Sequence, residues 1–240
     1  MKDLALFTWT HTEYEDVFPA YFGNIKKYFP QLEKSYVAIN ELSEVISDDH
    51  LQLINDERNS YSERILGCLE HVEEDYVLYM QEDFILYDKV PTREFNKCIN
   101  YLKTGETSCV KLIRSGSDTL EDQKSANIYK SCEFLSAVHQ ATIWNKSHLI
   151  DILENLNPGT LRQFELNGNA SYVMRELGYQ STFYFHESSP HRGGHYDSKV
   201  FPYIATALMK GKWNIGEYQS EIQKLSEDYN IDLNKRGCLK

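Results

Sequence analysis

The stretch YVLYMQEDFILYD, residues 76–88, brings two carboxylates to the end of an apolar run. Strand-forming residues from Tyr76 to Met80 lead into Glu82 and Asp83, and apolar residues resume at Phe84. Removing a carboxylate from water costs several kcal/mol unless the group is paired. The pattern therefore predicts a buried strand that delivers both acids to a polar rim, which makes this rim the first candidate for chemistry.

Predicted strands and helices alternate on both sides of this stretch. The sequence predicts strands at Leu4–Trp9, Ser35–Ile39, Tyr76–Met80, Cys109–Ile113, Ala137–Trp144 and Ser181–Phe185. It predicts helices at Val17–Tyr28, from Ser60 to about Val72, at Leu149–Leu156 with Ser147 as the cap, at Ala170–Leu177, and over Tyr203–Tyr229 with a break near Gly211. This alternation predicts an α/β fold with a mixed, mostly parallel central sheet between helices, whose ligands bind where the strands end.

Composition narrows the classes of partner. The chain has 240 residues and a net charge of −11, and no Lys/Arg block exceeds a pair, which argues against nucleic acid as a partner. Five cysteines without a CxxC pair indicate reduced thiols and a cytoplasmic protein. No window has the roughly 20 apolar residues of a membrane span, so we expect at most peripheral membrane association. We expect one domain with a frayed tail at Lys235-Arg236-Gly237.

Two further groups of residues are candidates for chemistry, besides a divalent-metal site at Glu82-Asp83. The polar loop at residues 186–198 carries three histidines, and with Arg192 and Lys199 it could supply a metal ligand or contacts to a diphosphate. Glu165, which follows a Pro-Gly break, could act as a general base toward a hydroxyl. The alternatives stay open from the residues alone: a loop-capping acidic pair, a solvated loop and an exposed helix glutamate.

Several signatures are missing from the sequence. It contains no GxxxxGK[ST] loop, no GxGxxG after a strand and no GxSxG elbow. P-loop ATPases, Rossmann dehydrogenases and α/β-hydrolases are therefore disfavoured.

The order of the motifs resembles a GT-A-type nucleotide-sugar-dependent glycosyltransferase of the small bacterial and viral glycan-assembly type. Three segments of this chain are similar to the first half of that family: the Thr-rich tip of the first strand, the helix SYSERILGCLEHV and the stretch YVLYMQEDFIL. The acceptor half is similar to HQATIWNKSHLIDIL, RQFELNG and HRGGHYDSKVFPYIATALMKGKWN. The resemblance implies a single GT-A-like, Rossmann-like domain, with a nucleotide-sugar half at about 1–88, an acceptor half at about 105–215 and a C-terminal helix and tail at 216–240.

The resemblance also assigns roles residue by residue. Asp83 matches the last Asp of the family's Asp-x-Asp motif and His195 a loop position that completes the metal shell, which implies Mn²⁺ or Mg²⁺ as the cofactor. Gln81 stands in place of the first Asp, which is a departure from the family, and Glu82 could substitute for it. Glu165 is placed like the catalytic base of inverting members. The expected nucleotide-sugar contacts are Thr8, Thr10, Glu41, Arg64, Gln81, Glu82, Arg192 and Lys199.

The expected partners are a nucleotide-sugar donor, UDP-linked before GDP-linked, and a glycan acceptor, as in polysaccharide biosynthesis. Two alternatives remain. A nucleotidyltransferase would usually need a Gly- and Lys/Arg-rich loop after the first strand, where this chain has TWTHTEYEDVF. A non-catalytic carbohydrate-binding domain could use the 17 tyrosines as its contact surface.

Overall fold

A computed structural model describes residues 1–131, 140–165 and 169–239, with only the backbone of Glu165. The strands are β1 Leu4–Trp9, β2 Lys34–Ile39, β3 Leu51–Ile54, β4 Tyr76–Gln81, β5 Ile85–Leu86, β6 Cys109–Lys111, β7 Gln123–Ser125, β8 Ile128–Lys130, β9 Thr142–Asn145, β10 Ser181–Tyr184, β11 His191–Arg192, β12 His195–Tyr196, β13 Tyr203–Ile204, β14 Leu208–Met209, β15 Lys212–Asn214 and β16 Cys238–Leu239. The helices are α1 Phe18–Tyr28, α2 Tyr61–Leu69, α3 Thr92–Leu102, α4 Lys146–Leu156, α5 Leu161–Glu165, α6 Asn169–Glu176, α7 Ile215–Tyr229 and α8 Leu233–Arg236.

Within the described ranges, nine strands form the central sheet, in the order β3-β2-β1-β4-β9-β6-β10-β8-β7. The pairings make β9 and β8 run against the other seven strands. Apolar clusters pack on both faces, one against α1 and α3 and the other against α2 and α4. The predicted mixed, mostly parallel α/β sheet flanked by helices is confirmed.

The strand predictions hold best where strands are buried on both faces. β1, β2 and β4 lie within a residue of their predicted bounds, since continuous apolar runs leave little choice of structure. β9 is shorter than predicted, and residues 137–139 of that prediction lie outside the described residues. β3, β5, β7 and β8 were missed because each has only two to four residues.

Two predictions about the second half were wrong. Residues 203–214 form short strands rather than a helix, because Tyr203 and Ile204 pair with β5 and Leu208 and Met209 pair with β15. α4 is capped by Asn145, whose Oδ1 accepts from the Ser147 amide, and not by Ser147 itself.

The capping box of α2 is present as predicted. Ser60 Oγ accepts from the Glu63 amide at 3.3 Å, and the Glu63 carboxylate accepts from the Ser60 amide at 2.7 Å. These bonds satisfy two of the amides that a helix start leaves unpaired. The box therefore fixes where α2 begins, which in turn fixes the position of Arg64 one turn later.

Ser60→Ala is expected to lower the free energy of unfolding by about 1 kcal/mol, because the Glu63 amide loses its acceptor. In a chain of this size the melting temperature should fall by roughly 2–4 °C. Ser47→Ala, at an exposed loop serine, is the control for thermal denaturation. Equal melting temperatures for the two variants would contradict a stabilising cap.

Every helix within the described ranges is too short or too polar to cross a lipid bilayer.

Candidate functional site at the carboxyl ends of the central strands

Four parallel strands end together at one edge of the central sheet, which we name the carboxyl edge. Its strand ends are Trp9 of β1, Ile39 of β2, Ile54 of β3 and Gln81 of β4. The register pairs Trp9 with Gln81 and Ile39 with Ile54, so the residues that follow these strands are neighbours. The chain thereby gathers the candidate residues of four separate segments at one place.

Glu82 and Asp83 lie at this edge, directly after β4. The Glu82 side chain is buried, with the residue 7% exposed, and Asp83 is half-buried. Asp83 Oδ1 is shielded from solvent and has no hydrogen-bond partner within the described part of the chain. The Asp83 carbonyl accepts from the Ala207 amide at 3.1 Å, which ties this turn to the loop before β14. A shielded carboxylate oxygen without a partner is unusual and calls for an explanation.

The two carboxyls resist ionisation. Burial raises the pKa of Glu82 to about 7, and the Glu82 backbone, the Thr10 hydroxyl, Arg236 and His11 oppose this rise. Burial and then the negative charge of Glu82 raise the pKa of Asp83 well above its ordinary value. Adjacent buried carboxyls shift in this direction unless a positive charge joins them. The pair is therefore a candidate site for a cation.

Arg236 brings a positive charge close to Glu82. Its Nε donates to Asp16 Oδ2 at 2.7 Å, and its guanidinium lies 4.9 Å from the centre of the Tyr14 ring. Asp232 caps α8, and β16 pairs with β15, so the segment is held at both ends. The predicted fraying of the tail was wrong, because a partly buried ion pair and a strand pairing tie it to the rest of the chain.

Arg64 is positioned by two contacts at the same edge. Its Nε donates to Asn55 Oδ1 at 2.7 Å, and its guanidinium lies 4.9 Å from the centre of the Trp9 ring. Asn55 is buried, and its Nδ2 has no hydrogen-bond partner within the described residues. These two contacts hold Arg64 in place, and its guanidinium forms no ion pair within the described residues.

Thr8 and Thr10 occupy different environments. Thr8 is fully buried and its Oγ1 lies 2.9 Å from the Tyr21 hydroxyl, so its hydroxyl is already hydrogen-bonded in the core. Its predicted direct contact with a ligand stays a prediction. Thr10 Oγ1 lies toward the Glu82 carboxyl but outside hydrogen-bonding geometry, and it has no hydrogen-bond partner in the described chain. Thr10 therefore remains a candidate contact.

Glu41 and Gln81 both lie at the carboxyl edge. Glu41 is exposed two residues beyond the end of β2, and Gln81 is the half-buried last residue of β4. No feature of the structure tests their predicted contacts, which stay predictions.

Arg192 and Lys199 differ in their ion pairing. Arg192 lies between Asp197 and Glu221, 2.9 Å and 2.5 Å away, and its guanidinium lies 4.5 Å from the centre of the Tyr218 ring. Its charge is already balanced, so the structure does not support its predicted contact with a diphosphate. Lys199 is exposed and forms no ion pair within the described residues.

His195 belongs to another cluster. The loop predicted at residues 186–198 contains the hairpin β11–β12, and His195 forms a bridge with Ser115. Burial and the nearby Lys111 ammonium lower the pKa of His195 to about 4, and Asp83 is not among the groups that act on it. In the ranges that the structure describes, no three His, Cys, Asp or Glu side chains form a metal cluster. The predicted grouping of His195 with Asp83 is therefore not found.

Glu165 ends α5, and its side chain lies outside the described part of the chain. Its neighbour Phe164 packs 6.3 Å from Tyr61, which in turn lies 5.4 Å from Trp9, measured between ring centres. The amides of Tyr61 and Ser62 also bond to the 158–159 turn that precedes α5. These contacts place the backbone of α5 beside the carboxyl edge.

Sequence reasoning missed Trp9, Asn55 and Arg236 as members of the site. Trp9 was taken only as the end of a strand, and Asn55 follows a strand too short to detect. Arg236 is separated from its partner Asp16 by 220 residues. Of these three residues, only Asn55 could have been found from the local sequence, because it is a polar residue directly after an apolar run.

No protein-family model and no curated protein matches this sequence. Solved structures with similar folds include S. aureus TarS 1-349, which is 10% identical with a TM-score of 0.49, covering 98% of this chain and 68% of that one. The 4-diphosphocytidyl-2C-methyl-D-erythritolsynthase from Anaerococcus prevotii is 8% identical with a TM-score of 0.49, covering 76% and 89%. The bifunctional IspDF from Campylobacter jejuni is 12% identical with a TM-score of 0.45, and the match spans 77% of this chain but half of that one. At these identities and TM-scores the similarities identify neither a family nor an activity.

Proposed function

We propose that this protein transfers a sugar from a nucleoside-diphosphate donor to a hydroxyl group of a glycan acceptor, with help from a divalent cation. The observation that carries the proposal is the shielded Asp83 Oδ1, which lacks a partner in the described chain and adjoins a second buried carboxyl. An ionised carboxylate in that position is costly unless a cation joins it. The resemblance of the motifs to glycosyltransferases supplies the class of reaction.

The residues present fit Mn²⁺ or Mg²⁺. Carboxylate oxygens are the ligands these ions take, and Mg²⁺ in particular is often held by one or two carboxylates together with substrate phosphates. Asp83 and Glu82 would hold the ion, and the phosphates of the donor would complete its shell. A ligand from His195 is not required for this arrangement.

Transfer breaks the bond between the anomeric carbon and a diphosphate oxygen, and the leaving group gains negative charge. At about 4 Å and an effective dielectric near 20, each opposing unit charge is worth about 4 kcal/mol. When bound, the divalent cation supplies such charge in a chain whose net charge is −11. Arg64 adds a fixed positive group at the same edge, since Asn55 and Trp9 already hold it in place.

Glu165 is the proposed general base. It would accept the proton of the acceptor hydroxyl as that oxygen forms its bond to the anomeric carbon, which inverts the configuration there. The contacts from Phe164 through Tyr61 to Trp9 support this proposal, since they bring the α5 backbone close to the carboxyl edge. Glu165→Gln should lose transfer but keep donor binding.

A thermal-shift panel of UDP-, GDP-, CMP- and TDP-linked sugars, each with and without Mn²⁺, tests the proposal. A donor at 100 times its dissociation constant adds about 2.7 kcal/mol, or roughly 5–10 °C in a chain of this size. A shift that requires both one sugar nucleotide and Mn²⁺ supports the proposal and identifies the donor, with UDP expected before GDP. No shift with any donor would contradict it. Release of pyrophosphate when CTP and a sugar phosphate are supplied in place of the sugar nucleotide would instead indicate nucleotidyl transfer.

Arg64→Ala is expected to weaken donor binding by about 10–100-fold, the range for a lost charge-assisted hydrogen bond. Arg64→Lys should lose less, because it keeps the charge but not the planar group. Arg58→Ala is the matched control, since that side chain is 89% exposed and pairs with Asp56 on the surface. Titration calorimetry with the donor and Mn²⁺ measures the constants, and equal losses in Arg58→Ala and Arg64→Ala would contradict a specific contact.

A further inference from the structure

The lateral edge of the central sheet at β3 exposes apolar side chains. Leu51 and Ile54 of β3 are 56% and 52% exposed, and Leu42 and Val45 of the preceding loop are 74% and 47% exposed. These four make up more than half of the seven exposed large hydrophobic residues in the described chain. We call this group the β3 patch. All four lie within residues 42–54, and such a local concentration of exposed apolar residues indicates an interaction site, whereas single ones need no explanation.

The backbone of β3 is open on the same side. Among the strands of the described residues, β3 ends the order of the sheet and pairs only with β2. The Asn55 amide donates to the Ile39 carbonyl, so in the parallel register Leu51 and Leu53 turn their backbone groups toward β2, and Gln52 and Ile54 turn theirs outward. The backbone bonds described for the chain give Gln52 and Ile54 no partner on that outer side. The register sets Leu51 beside Tyr36 and Ile54 beside Ile39, so the two exposed side chains lie on opposite faces. An added strand would find unpaired backbone groups with apolar contacts above and below.

The opposite lateral edge of the sheet shows the contrast. β7, Gln123–Ser125, is polar and carries Lys124 at its centre. Lysine on an edge strand is a common protection against unwanted pairing. β3, with the sequence LQLI, has no lysine, proline or bulge. One edge is thus protected and the other is left able to pair.

The charge around the β3 patch selects the partner. Residues 41–58 contain six carboxylates and a single Lys/Arg residue, Arg58. Glu41, Glu44 and Asp48 form no ion pair within the described residues. A second copy of this chain would bring the same negative charges together, whereas a basic segment would be attracted.

We propose that the β3 edge binds an extended, basic protein segment with apolar side chains, which adds to the sheet as a further strand. Backbone hydrogen bonds to β3 would give affinity, and the β3 patch and its carboxylates would select apolar and basic side chains. This interaction does not depend on the proposed transferase activity.

The test uses a fluorescein-labelled peptide of alternating lysine and valine, seven residues long, in fluorescence anisotropy with the whole chain. Replacing the central valine by proline should weaken binding by about tenfold or more, because proline cannot donate to a strand. Replacing the lysines by glutamates should abolish binding at low salt. Hydrogen exchange of the outward-facing Gln52 and Ile54 amides should slow when the lysine–valine peptide is bound.

Two protein variants locate the binding. Leu51→Lys should weaken binding of the lysine–valine peptide by about tenfold, because it removes an apolar contact and adds a positive charge that repels the lysines. Leu120→Lys, at an exposed leucine away from β3, should leave the affinity unchanged. Equal binding of the proline peptide, or equal binding by the two variants, would overturn the proposal. A concentration-dependent dimer in sedimentation that Leu51→Lys removes would also overturn it, in favour of a second copy as the occupant. Both variants should keep the donor-dependent thermal shift.

Discussion

Asp83→Asn is expected to remove most sugar transfer while making the ligand-free protein more stable at about pH 8. Loss of one charged group that stabilises the leaving group should cost about 10²–10³-fold in rate. The stability should rise by about 1 kcal/mol or more, because asparagine keeps the shape of the side chain but cannot place a charge beside Glu82. Transfer assays with the identified donor and urea denaturation without metal measure the two effects.

The opposite signs of these effects distinguish a cation site from an ordinary structural acid. A side chain that only supports the fold would lose activity and stability together. Asp88→Asn is the control, since Asp88 is exposed five residues farther along and should change neither quantity. If Asp83→Asn keeps the Mn²⁺-dependent donor shift, Asp83 does not hold the ion.

Glu82→Gln is expected to change how the stability of the metal-free protein depends on pH. The pKa of Glu82 is about 7 in the folded chain, above its usual value of 4.5. The folded state therefore binds the proton more tightly than the unfolded state, so wild-type stability falls as pH rises from about 4.5 to about 7. This difference in pKa corresponds to a loss of about 3 kcal/mol in the free energy of unfolding, and Glu82→Gln should not show that loss.

Urea denaturation at a series of pH values checks the prediction. Glu70→Gln, at an exposed glutamate on the end of α2, should give a curve parallel to that of the wild type. Adding Mn²⁺ to the wild type should restore stability mainly above about pH 7, where Glu82 ionises. Parallel curves for Glu82→Gln and the wild type would show that Glu82 is not buried as a shifted acid.

Local pattern was enough to predict much of the first half of the fold. The apolar runs of β1, β2 and β4 and the Ser60–Glu63 box are signals carried by a few consecutive residues, so they could be read without the fold. The run 76–80 followed by two acids likewise predicted that Glu82 and Asp83 lie where a strand ends. These features depend on side-chain periodicity and capping, which are local properties of the chain.

Which residues lie together at the candidate site was decided by tertiary structure. Arg236 reaches Asp16 across 220 residues, and no local pattern reports such a contact. Arg192 could be predicted as a cation near the site, but the packing of α7 beside its hairpin balances its charge with Glu221. His195 lies in the predicted loop, but its strand forms a bridge with Ser115 and its imidazole is near Lys111 and Asp118.

The sequence by itself thus determined the sheet strands and the two acids that end β4, because each is specified by neighbouring residues. The environment of those acids was decided only when distant segments packed around them. Burial raises the pKa of Glu82 and Asp83, and burial is a property of the whole fold. The same holds for β3, whose four residues became an open apolar edge only through their place at the end of the sheet order.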